Sequence, residues 1–165
     1  RPKWSWDGWM SDEKRSGLVP FDLHIHDLDF IVYAFGKPKK FSDRRTKNGL
    51  QDYISATYEY DDFFINAEAS WFDSPYPFTA DFRFQFEKAV ALWENGVLKI
   101  FEQDGNIITP VSDSGDADNG SIGLPKSNAY ANEIRYFADC VKADKFPDKV
   151  KPEQLEAVLD ILHEL

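Results

Sequence analysis

Tyr53-Ile54-Ser55-Ala56-Thr57-Tyr58-Glu59-Tyr60-Asp61-Asp62-Phe63-Phe64-Ile65-Asn66-Ala67-Glu68-Ala69-Ser70-Trp71-Phe72 reads as a strand, a tight turn and a second strand. In its first half Tyr53, Ser55, Thr57 and Glu59 alternate with Ile54, Ala56, Tyr58 and Tyr60. In its second half Phe63, Ile65, Ala67, Ala69 and Trp71 share one side, against Phe64, Asn66, Glu68 and Ser70. Successive strand side chains point to opposite faces, so this alternation gives a buried face and a polar one. Asp61-Asp62 leaves no room for a crossover helix, so the two strands pair antiparallel.

The same pattern continues downstream. Asp73-Ser74-Pro75-Tyr76-Pro77 interrupts it with two prolines. Phe78, Ala80, Phe82, Phe84 and Phe86 then alternate with Thr79, Asp81, Arg83, Gln85 and Glu87, which predicts a strand over 78–86 with the phenylalanines buried. Each buried Phe contributes roughly 1.5–3 kcal/mol of gross burial energy. Residues 89–93 and 97–102 are further strands, joined by Glu94-Asn95-Gly96, where Asn-Gly supplies the positive-φ positions of a hairpin. Asp104-Gly105 turns once more. With no helix between these strands, the expectation is one open, mainly antiparallel sheet in an α+β domain. Upstream, residues 37–48 read as a polar loop.

Helices flank the strands. Phe21, Ile25, Leu28, Val32 and Phe35 form one apolar stripe at helical spacing, with Pro20 suited to the first helical position and Gly36 and Pro38 to the stop. The adjoining stripe is Asp22, His26, Asp29 and Tyr33, so His26 should border the buried face with Asp22 one turn before it. At about 100° per residue, His24 should point about 160° away from that stripe, toward a structural role or a domain contact. Near the end, Tyr130, Ile134, Phe137 and Val141 mark one helix; Pro152 opens another with Leu155, Val158, Leu159 and Leu162 inward. Trp4, Trp6 and Trp9 are expected to fold onto the sheet, the alternative being a surface on another segment.

A chain of 165 residues fits one domain spanning 1–165. Hydrophobic residues at 42% and aromatics at 16% exclude a disordered chain. Nineteen basic against 29 acidic side chains give −10, which speaks against nucleic acid and against a polybasic membrane anchor. No apolar run is long enough to span a bilayer. Cys140 stands alone, so no internal disulfide forms, and a reducing, cytoplasmic location is expected. The start at Arg1 and the stop at Leu165 inside a helical pattern lead us to expect a longer parent protein.

The chemistry concentrates at 22–29. A histidine titrates near pKa ~6.5 and can move a proton at neutral pH, and a neighbouring carboxylate can orient it. The competing reading is an ordinary surface pair on a helix. His24-x-His26 also resembles a metal pair, but further ligands at helix-compatible spacing are missing, so no metal is expected. Asp116-Ala117-Asp118-Asn119-Gly120 is a weak match to a calcium loop, without the third oxygen ligand in register or the closing glutamate. His163 reads as a surface residue. No Gly-x-Gly-x-x-Gly occurs, so the chain holds no dinucleotide-binding unit of its own.

Three separated motifs carry a family resemblance. Trp9-Met10-Ser11-Asp12, Ser16-Gly17 and Asp22-Leu23-His24-Ile25-His26-Asp27-Leu28-Asp29-Phe30 form the first; Ala67-Glu68-Ala69-Ser70-Trp71, with 78–86 and Glu87-Lys88-Ala89, forms the second; Tyr130-x-x-Glu133-x-x-Tyr136-Phe137 forms the third. Together they resemble the second domain of the Gfo/Idh/MocA oxidoreductases over nearly the whole chain. The resemblance implies an N-terminal Rossmann domain outside this chain that binds NAD or NADP and supplies a catalytic lysine. It implies an open antiparallel sheet with helices on one face and a homodimer or homotetramer interface on the other. It also implies an Asp-x-x-x-His pair lining a sugar or polyol site, matched here by Asp22 and His26. His26 is then the general base and Asp22 its orienting partner or a hydroxyl ligand, with Asp29, Tyr130 and His24 as candidate substrate contacts. Many relatives have glycine where His24 stands. The expected function is therefore the substrate-binding and oligomerisation domain of a dehydrogenase acting on CH–OH groups, inactive alone. The rivals are a non-catalytic assembly module of the same fold and a metal-dependent hydrolase fragment.

Overall fold

A computed structural model describes residues 5–48, 51–110 and 129–165. The chain is α+β and divides into two compact units, 1–75 with 147–165, and 76–146. The antiparallel strands form two sheets instead of one: a three-stranded sheet in the first unit and a four-stranded sheet in the second. The break falls in the proline-bearing segment after Phe72, where proline has no N–H to give a ladder.

The first unit opens with a short 3-10 segment, Trp6–Ser11, and a one-turn helix α1, Glu13–Ser16. Asp12 caps α1 by accepting from the Lys14 N–H. A wide π-helical turn, Pro20–His24, leads without a break into α2, Ile25–Phe35. Gly36, at φ +80°, ends it as expected, its N–H bonding the Val32 carbonyl at 2.9 Å. The sheet follows as β1 (Lys40–Asn48), β2 (Gln51–Glu59) and β3 (Phe64–Trp71), in the order β1-β2-β3. Helix α4, Pro152–Glu164, returns to pack on α2.

Strand β1 replaces the expected loop. Its half-buried positions hold Phe41, Asp43 and Arg45, so two charges occupy what an apolar alternation would fill. An edge strand gains protection from unwanted pairing by such charges. Strands β2 and β3 follow the predicted faces: Ile54, Ala56 and Tyr58 are buried, and pair with Ala69, Ala67 and Ile65. Leu28, Ile31 and Val32 of α2, Ala56 and Tyr58 of β2, and Ala157, Val158, Ile161 and Leu162 of α4 form the main core, so the helices cover one face of the sheet. On α4 the buried stripe is turned from that expected: Leu155 and Leu159 are 49% and 45% exposed, while small Ala157 lets the helix approach. A second cluster joins Met10, Leu18, Val19, Ile54 and Trp71, with Trp9 against it. Trp6 does not join it and is 83% exposed; Trp4 lies outside the described residues.

In the second unit β4 (Phe82–Gln85), β5 (Ala89–Glu94), β6 (Val97–Glu102) and β7 (Ile107–Ile108) pair in sequence order. The β5–β6 hairpin has Asn95 and Gly96 at φ 52° and 77°, as its sequence requires. The strand predicted over 78–86 shrinks to four residues, because β5 offers partners only to Phe82–Gln85. Phe82 and Phe84 are half-buried, but Phe78 and Phe86 are exposed. Helix α3, Ala129–Lys142, forms where its spacing placed it. Its stripe of Tyr130, Ile134, Phe137 and Val141 is nonetheless exposed, since periodicity fixes which residues share a side and not what covers it. The possible calcium loop at 116–120 lies outside the described residues.

Candidate functional site

The π-turn governs where the 22–29 side chains go. The Ile25 N–H reaches back to the Pro20 carbonyl, five residues earlier, so the chain rotates fewer degrees per residue here than in an α-helix. His24 takes the structural role expected of it, fully buried, and Asp22 is anchored as well. Both meet the sheet: His24 reaches Tyr58 on β2, and Asp22 reaches Trp71 on β3. The turn is entered through Gly17 and Leu18, both in the left-handed region at φ 72° and 60°. A Cβ on Gly17 would lie 2.5 Å from Cδ2 of Phe21, so only glycine fits.

Asp22 is half-buried and accepts a hydrogen bond from Trp71 Nε1 at 3.1 Å. Burial raises its pKa above the ordinary carboxylate value; the indole N–H and the nearby His26 oppose that rise without cancelling it. His26 is exposed, where its stripe had placed it at the edge of the buried face. An accessible imidazole one turn after an anchored carboxylate can exchange a proton with a bound molecule. Asp29 lies further along the same helix, half-buried. Tyr130 belongs to α3 in the second unit and is 59% exposed.

His24 has a different environment. It is fully buried, with Nε2 2.7 Å from the Tyr58 hydroxyl and Nδ1 3.6 Å from Asp27 Oδ2, too long for a hydrogen bond. The Asp27 carboxylate favours the proton on Nδ1, leaving Nε2 to accept from Tyr58. Burial, with the charges of Asp27 and Asp43, pushes the Tyr58 pKa up and keeps that hydroxyl protonated. His24 is thus a core residue, and it does not share an opening with exposed His26 through which both could bind one ion. Among the described residues no cluster of three or more His, Cys, Asp or Glu could hold a metal. His163 is exposed, its ring centroid 5.6 Å from that of Phe21.

A clamp that the sequence reading missed holds the turn to the sheet. Asp52, 2% exposed, takes Arg45 Nε at 2.8 Å and Nη2 at 2.7 Å, and the Val19 N–H at 3.1 Å. Burial alone would raise the Asp52 pKa; the Arg45 and Val19 bonds, with the charges of Arg45 and Lys47, outweigh it and hold the carboxyl below its usual range. The signal was legible: Asp52 continues the inward phase of Ile54, Ala56 and Tyr58. Trp71 was read only as the last residue on one face of its strand and as part of a family motif, although its side chain carries an N–H.

Residues 1–91 match the family described as the GFO/IDH/MocA C-terminal domain. The chain belongs to that family. Members of the Gfo/Idh/MocA family are generally oxidoreductases and typically use NAD(P). The match covers the π-turn, α2, the whole first sheet and the start of the second, and stops short of the α3 motif. No curated protein and no solved structure matches the chain. As a Gfo/Idh/MocA C-terminal domain, the chain carries no Gly-rich phosphate turn. Among the described residues no helix is long and apolar enough to cross a membrane.

Proposed function

We propose that this chain is the substrate-binding and oligomerisation domain of an NAD(P)-dependent dehydrogenase acting on a sugar, polyol or related CH–OH compound. The observation that carries the reading is Asp22, anchored by Trp71, with exposed His26 one turn further on. His26 accepts the hydroxyl proton as the carbon is oxidised. Asp22 orients the imidazole or holds a neighbouring hydroxyl of the substrate. Asp29 contributes to the rim. The nicotinamide, held by residues outside this sequence, supplies the hydride acceptor. Without it the domain alone is inactive.

The outer face of the first sheet is the proposed homo-oligomer interface. It presents Tyr53, Ser55, Thr57 and Phe64, with Tyr53 bonded to Glu68 at 2.8 Å and Thr57 to Asn66 at 2.9 Å. Aromatic and hydrogen-bonded polar residues of this kind suit a subunit contact. The lone Cys140 fits a reducing compartment. The departure at His24 from the glycine of many relatives does not favour the non-catalytic module, because buried His24 serves the core.

The test is turnover of a panel of sugars and polyols by the full-length protein with NAD⁺ or NADP⁺. His26→Ala should lower kcat by about 10²–10⁴ while KM changes far less. A rate equal to the parent protein's would refute the catalytic reading and favour the assembly module.

A further inference from the structure

Trp71 is 5% exposed and packs among Met10, Leu18, Val19 and Ile54. A phenylalanine would fill most of that space. What the indole adds is a single polar group, an N–H that can donate and never accept. It points at Oδ2 of Asp22, 3.1 Å away. Trp71 is itself fixed, because it pairs opposite Asp52 in the β2–β3 ladder. Asp52 is held by Arg45 and also receives the Val19 N–H, just before the π-turn begins. One group of contacts thus sets both the start of the turn and the donor that meets its carboxylate.

We propose that Trp71 is the positioning residue of the Asp22–His26 pair: its indole N–H engages Oδ2 of Asp22 and leaves Oδ1 for His26 or a substrate hydroxyl. This rests on the dehydrogenase reading given above. Among the described residues, the Trp71 indole from β3 and His26 from α2 act on the Asp22 charge. The indole bond favours the ionised carboxylate, against the effect of burial. Removing it leaves Asp22 protonated over a wider acid range, and a protonated Asp22 can present a hydroxyl where the imidazole or the substrate needs an acceptor.

The contact can be read without activity. In the full-length protein, labelled with ¹⁵N at tryptophan, the resonance lost in Trp71→Phe identifies the Trp71 indole. That resonance should move through one acid transition centred above the free carboxylate value of about 3.9. In Asp22→Asn it should persist and lose the transition. A resonance that does not move, or moves equally in Asp22→Asn, overturns the proposal. Activity tests the role: Trp71→Phe should displace the acid limb of kcat/KM to higher pH, with a loss of about tenfold on that limb. A loss equal at every pH would mark Trp71 as packing alone and also overturn the proposal. If His26→Ala turns over like the parent protein while the indole transition follows Asp22, the dehydrogenase reading fails and the contact stands.

Discussion

Replacing Asp52 by asparagine tests how firmly the site is tied to the sheet. The carboxylate accepts three hydrogen bonds, at 2.8, 2.7 and 3.1 Å, two of them from the Arg45 guanidinium. Asparagine has one acceptor oxygen, so the two-pronged Arg45 contact is lost and its NH₂ faces a donor. A hydrogen bond to a charged group is worth about 1.5–3 kcal/mol. The Arg45 side chain is 26% exposed and regains some water, whereas Asp52 at 3% cannot. The lower part of the range applies to each prong, and we expect a net loss of about 2–3 kcal/mol. That is a drop in Tm of roughly 5–10 °C for a chain of this size. Urea unfolding at pH 7 should show a lower midpoint at unchanged slope. The Asp52 pKa is depressed on folding. Its contribution is therefore complete above the unfolded value of about 3.9 and disappears as pH falls through the folded value. The gap between the two proteins should close in that acid window. A difference under about 0.5 kcal/mol at pH 7, or one that persists unchanged at pH 2, would refute the clamp. Replacing Asp52 and Arg45 together by apolar residues should cost less than replacing Asp52 alone.

Other outcomes follow from the same contacts. Tyr58→Phe removes the partner of His24 Nε2, and Nδ1 already has none, so both nitrogens of a buried ring go unpaired. A loss of about 1–3 kcal/mol in denaturant titration is expected, and an unchanged midpoint would show that His24 finds another partner. Gly17→Ala places a methyl 2.5 Å from Phe21 at φ 72°. Left-handed strain and overpacking together predict at least about 2 kcal/mol of destabilisation by the same assay. A neutral result there would mean that the turn is not held in the conformation described.

The strands of the first sheet were legible where apolar and polar residues alternate, as in β2 and β3. β1 was not, because its inward positions carry Asp43 and Arg45, and Arg45 finds its carboxylate partner only once the neighbouring strand is in place. The long Phe78–Phe86 alternation was overextended, since a strand is only as long as its partner. The spacing of Asp22 and His26 was visible, and so was the end of their helix at Gly36. The direction of their side chains was not. It depends on a π-turn that no periodicity announces, and on Trp71, which is distant in sequence and meets Asp22 only after the sheet has formed.

The π-turn also has a meaning for insertions and deletions. A wide turn is what remains when one extra residue is accommodated in a helix without breaking it. Deleting one residue between Phe21 and His24 would let the segment close as regular α-helix, with better local bonding. It would also change the rotation of everything on the N-terminal side by about 100° relative to α2. Val19 would leave Asp52, and whichever residue took the place of Asp22 would meet Trp71 at a different angle. Local helix stability and site geometry pull in opposite directions here. A shortened variant could therefore keep its helix and lose its chemistry, a pairing that circular dichroism and a turnover assay, run side by side, would separate.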